Sequence, residues 1–72
     1  ERSLLQNLDY IKRFCNHYIN HPNDIGQNVQ FQARVLLLET AKQIEQDAAR
    51  EFYQRRFNDF KPDLERIAFD QL

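Results

Sequence analysis

The sequence predicts an all-α fold, a unit of three helices, and three observations carry that reading. Gly26 is the only glycine, and Pro22 and Pro62 are the only prolines, in 72 residues. Because these residue types punctuate structure, their scarcity predicts few, long elements. Gln, Glu, Leu, Arg and Ala are abundant, and all are good helix formers. Apolar side chains also recur at steps of three and four, the period of a helix face.

Helix 1 is expected over about 4–19. The run Ser3-Leu4-Leu5-Gln6 has the spacing of a capping box, in which the Ser3 hydroxyl accepts a backbone N–H and Gln6 reaches back. Leu4, Leu8, Ile11, Cys15 and Tyr18 follow on one face, and Asp9 with Arg13 makes an i,i+4 ion pair on the other. Leu5 and Ile19 widen the apolar stripe on one flank, Tyr10 and Phe14 on the other. The stripe then exceeds the roughly 100° that a surface helix needs, so helix 1 should have more than one packing partner.

Asn20 to Gly26 is the first break. Pro22 disfavours helix at His21, and Asn23, Asp24 and Gly26 supply turn chemistry. Asp24 or Asn28 can cap the next helix, Asp24 with Gln27 again having capping-box spacing. Helix 2 is expected over about 28–57, since neither Gly nor Pro interrupts that stretch. Its first half carries Val29, Phe31, Ala33 and Val35 to Leu38, pointing nearly all round, so it should be buried on every side there. Its second half narrows to Ala41, Ile44, Ala48 and Phe52. A second break is expected at Asp59 to Pro62, with Pro62 in the first turn of helix 3, about 63–71, whose apolar face is Leu64, Ile67, Ala68 and Leu72. Helices 1 and 2 should form an antiparallel hairpin, with helix 3 folded back on the end of helix 2.

Composition narrows the function. Ten basic and eleven acidic side chains give a formal net charge of −1, which argues against bulk electrostatic binding to nucleic acid or anionic lipid. The longest apolar run, Val35 to Leu38, is far short of the roughly 20 residues that span a bilayer. One cysteine excludes an intrachain disulfide and suits a reducing, intracellular and cytoplasmic setting. The chain starts at Glu1 without an initiator methionine, which is expected of an excised or processed piece.

Catalytic and metal chemistry is not expected. Cys15, His17, His21 and Asp24 are ligand types for zinc, yet Cys15 lies on the apolar stripe, well around the helix from His17, and the second histidine sits directly before Pro22. They read instead as a buried thiol and two solvent-facing histidines near a helix C-terminus, where the dipole favours protonated His. Cys15 and His17 face apart, so no nucleophile–base pair forms. No nucleophile elbow, phosphate-cradling loop or paired-carboxylate motif occurs. No catalytic residue, metal or cofactor is therefore assigned.

The candidate partner-binding residues are Phe52, Tyr53, Arg55, Arg56, Phe57, Phe60 and Lys61. Aromatics mixed with cations are enriched at protein interface hot spots and can also stack on bases and pair with phosphates. At helical spacing the aromatics equally serve to close a core. Glu51, Asp59 and Asp63 would repel a nucleic-acid backbone.

One stretch is similar to a known family. Ile11-Lys12-Arg13-Phe14, Tyr18-Ile19-Asn20, Asp24-Ile25-Gly26-Gln27-Asn28-Val29 and the apolar Val35 to Leu38 resemble the carboxy-terminal part of epsin-type ENTH and related VHS modules, which are α-superhelices. The resemblance spans about residues 11–50 and implies a membrane-traffic adaptor that binds protein motifs. Those modules are about twice this length, and their lipid-binding residues match nothing here and are not carried over.

The sequence thus predicts a protein–protein interaction module, an adaptor or a scaffold, with a nucleic-acid-associated regulator as the alternative. Helix 1 and the start of helix 2 carry more apolar surface than three short helices can cover, beyond the few hundred Å² that monomers commonly expose. The unit is therefore expected to be part of a larger superhelix or one half of a homodimeric bundle.

Overall fold

The structure, a computed structural model, describes residues 3–69. The described chain is all-α: α1 (Leu4–Asn20), a 3-10 turn (Pro22–Asp24), α2 (Gln27–Glu45) and α3 (Arg50–Phe69). The end of the expected third helix at residue 71, and Leu72, lie outside the described residues.

α1 starts as its sequence dictates. The Ser3 hydroxyl accepts from the Gln6 N–H at 3.2 Å, and the Ser3 N–H donates to Gln6 Oε1 at 2.9 Å. Arg13 and Asp9 pair at 2.7 Å on the solvent side. The break at Asn20 to Gly26 is present, with His21 closing α1 and Pro22 opening the 3-10 turn. Asp24 does not cap α2; it sits inside that turn, and Gly26 in an extended conformation is the N-cap with no side-chain bond.

Two expectations about the second half are corrected. Helix 2 does not run to 57: the chain turns at residues 46–49, without Gly or Pro, and α3 begins at Arg50. In an unbroken helix Ile44 and Phe57 would lie about 20 Å apart at 1.5 Å per residue. In the fold both are in one core, so tertiary burial overrides local helix propensity. Asp47 assists, its Oδ1 accepting from the Ala49 N–H at 2.8 Å as an Asx-type turn.

Nor does the chain break before Pro62, which lies inside α3. The buried stripe Phe57, Leu64, Ile67 and Ala68 continues across it. An interior proline costs about 3 kcal/mol, whereas each large side chain in that stripe contributes roughly 1.5–3 kcal/mol on burial. Asn58, whose carbonyl loses its partner to Pro62, is exposed, as is Pro62 itself, so water can satisfy the carbonyl.

The principal hairpin is therefore α2 with α3, antiparallel and in the most extensive contact, rather than α1 with α2. Arg34 Nε donates to the Ala68 carbonyl at 2.9 Å across it. As the width of its stripe predicts, α1 packs on both, more on α3 than on α2. Leu8, Ile11, Phe14 and Cys15 from α1 meet Phe57, Leu64, Ile67 and Ala68 from α3, while α2 adds only Ala33 and Ile44 to the buried apolar set. Asn7 Nδ2 donates to Gln43 Oε1 at 3.1 Å, and Gln32 Nε2 to Tyr10 Oη at 2.8 Å, along the α1–α2 edge.

Candidate interaction surface

α2 has α1 on one side and α3 on another, so its third side has no described helix to pack on. The start of α2 is accordingly not buried all round. Phe31 is 66% exposed and Leu38 is 73% exposed. They stand seven residues apart, two helical turns, and so share a face. Phe69 near the end of α3 is 61% exposed.

Beside this face the α2/α3 hairpin holds a groove of about 360 Å³. Leu37, Leu38 and Ala41 line it from α2, Phe57 and Phe69 from α3. Charge enters through Arg34, Lys61 and Glu65. Arg34 is fixed there by its bond to Ala68 and by lying 5.3 Å from the centre of the Phe69 ring, a cation–π arrangement. Ala41 is shared with a second hollow of about 700 Å³ toward the 46–49 turn, whose walls include Glu45, Arg50 and Arg55.

The seven residues singled out in sequence do not form one surface. Phe57 is 1% exposed and belongs to the core, which withdraws it from any contact with a partner. Tyr53 and Phe60 are partly buried against that core, Phe60 meeting the Phe57 ring edge to face at 6.0 Å. Phe52 stays outside with the Arg56 guanidinium 4.7 Å from its ring centre. Arg55 and Lys61 line the two hollows of the α2/α3 face. Phe31, Arg34, Leu38, Ala41 and Phe69 were absent from the sequence-based set. The seven-residue step from Phe31 to Leu38 was legible, but without the position of α3 nothing marked it as the uncovered side.

Cys15 is buried, with Sγ 4.0 Å from the Phe60 carbonyl. Burial, and secondarily the Asp63 carboxylate, push its thiol up from 9.0 to about 12, which leaves it protonated and unreactive at neutral pH. His17 and His21 are exposed and stacked on each other at 4.7 Å, with His17 Nε2 3.8 Å from Asp24 Oδ2. His21 Nδ1 lies 2.9 Å from the His17 carbonyl oxygen. Among the described residues no group of three or more His, Cys, Asp or Glu is placed to hold a metal. No described buried side-chain nitrogen or oxygen lacks a hydrogen-bond partner. No described helix is long and apolar enough to cross a membrane. Comparison of the chain with protein-family models, with curated proteins and with solved structures found no match.

Proposed function

We propose that this chain is a non-catalytic protein–protein interaction module, a helical adaptor or scaffold, that receives a helix along its α2/α3 face. The observation that carries the reading is an apolar groove walled by exposed Leu38 and Phe69, with exposed Phe31 two turns before Leu38 on the same face of α2. Contiguous exposed apolar surface of this kind marks interaction sites, and a groove between two helices suits the apolar face of a third. The resemblance of residues 11–50 to ENTH and VHS modules supports the narrower reading of a membrane-traffic adaptor, and the lone thiol supports an intracellular, cytoplasmic setting.

A nucleic-acid-associated regulator is the second reading, favoured by Arg56 stacked on exposed Phe52. Glu51 beside that pair and the net charge of −1 weigh against it.

The test is a photo-cross-linking amino acid placed at position 38, with position 16 on the exposed side of α1 as control. Adducts to protein, whether to another chain or to itself, are expected from position 38 and not from 16. No adduct at 38, or equal adducts at both positions, would overturn the reading.

A further inference from the structure

Five α2 residues, Phe31, Arg34, Leu38, Ala41 and Glu45, follow one another at steps of three, four, three and four, and every one of them is exposed. That spacing is the a/d seam of a coiled coil, although no described helix covers it. From these positions we propose that the occupant of the α2/α3 face is a second copy of the chain, bound as an antiparallel α2–α2 dimer. The inference rests on the docking reading above and names its partner.

The composition of the seam selects both partner and register. An antiparallel two-fold axis placed between Glu39 and Thr40 sets Leu38 of one copy against Ala41 of the other, twice. The same axis sets Arg34 of one copy against Glu45 of the other, also twice. Large therefore meets small and cation meets anion at these two levels, the a position of one helix facing the d position of the other, while Phe31 falls opposite position 48, past the end of α2. Ala41 lines the groove bounded by Leu37 and Phe69, so the incoming Leu38 has both room and apolar walls. Arg34 is held in place through Nε, which leaves its Nη groups to donate to the incoming carboxylate. A parallel pairing would stack Arg34 on Arg34 and Glu45 on Glu45, and like charges at an interface are strongly disfavoured. The seam is thus complementary to itself in one direction only, as an isologous interface requires.

Sedimentation equilibrium on the purified chain and its charge-reversed forms tests this. The wild-type chain is expected to dimerise in the micromolar range. Arg34→Glu and Glu45→Arg should each weaken homodimerisation by about tenfold or more, because each creates two like-charge contacts. An equimolar mixture of the two variants should form a heterodimer, since both pairs then become Glu–Arg. The doubly reversed chain should recover the wild-type affinity to within about threefold. Arg34→Glu also removes the bond to Ala68, so Glu45→Arg and the mixture are the decisive arms. A wild-type monomer at all concentrations up to about 1 mM, a scale far above useful dimer affinities, overturns the inference. So does a dimer indifferent to the reversals. If position 38 nevertheless cross-links to a different protein, the docking reading survives and only the second copy is lost.

Discussion

Cys15 shows how much one position depends on its surroundings. Its Sγ lies among Leu8, Ile11, Phe14 and the α3 stripe, with the Phe60 carbonyl as its polar neighbour. A thiol reagent at pH 8 is expected to modify it slowly in the native chain and rapidly in denaturant; equal rates would place Cys15 at the surface. The folded thiol titrates near 12 against 9.0 for the free group. The shift therefore costs nothing below pH 9. Above it the unfolded chain releases the proton more readily, so stability should decline as pH rises from about 9 to about 12. The aromatic and aliphatic positions divide just as sharply. Phe57→Ala should cost about 3–5 kcal/mol by opening a cavity, a large share of the roughly 4–11 kcal/mol that a chain of this length commands. Leu38→Ala, measured by urea denaturation at a concentration where the chain is monomeric, should change stability by no more than about 0.5 kcal/mol. A large loss at Leu38 would mean that its side chain packs inside the monomer.

At the level of elements, α1 and the Pro22 break were legible because their signals are local. Ser3 with Gln6 closes a box over three residues, and Pro22 acts on its immediate neighbour. The boundary between α2 and α3 was not. Gln46, Asp47, Ala48 and Ala49 contain no strong helix breaker, and what turns the chain is the joint burial of Ile44 and Phe57, a contact between helices that do not exist as separate segments until the turn is made. Pro62 misled for the converse reason, since its local signal is strong and the stripe on both sides of it is stronger. The candidate site was legible in kind and not in place: aromatic and cationic residues do face outward, but on α2 and the end of α3 as well as near Arg55. Pro62→Ala should stabilise the chain by about 1–3 kcal/mol by restoring the bond to the Asn58 carbonyl, seen as a rise of several degrees in Tm. A loss of stability instead would show that α3 packs better with Pro62 than with an unbroken backbone hydrogen-bond ladder at that turn.

The whole molecule measures 38 × 21 × 18 Å with a radius of gyration of 12.0 Å, close to the roughly 11 Å expected for a compact chain of 72 residues. Its charge is nearly balanced, −1 overall, and three of the exposed arginines sit near carboxylates: Arg13 on Asp9, Arg50 and Arg55 in the hollow shared with Glu45 and Glu51. No binding to a fluorescent single-stranded oligonucleotide tighter than about 100 µM is expected at 150 mM salt. A tighter complex whose affinity falls steeply with added salt would instead favour the nucleic-acid reading built on Phe52 and Arg56.

The core is shared chiefly by the first helix and the last, Cys15 meeting Phe60 across 45 positions of the chain, while α2 between them contributes least. This fixes an order of events during synthesis. At about 5–20 residues per second, α2 is complete roughly 1–5 s before α3 is, and until then the buried face of α1 lacks the larger of its two partners. The nascent chain therefore presents its stickiest surface for the whole of that interval and closes it in a single late step.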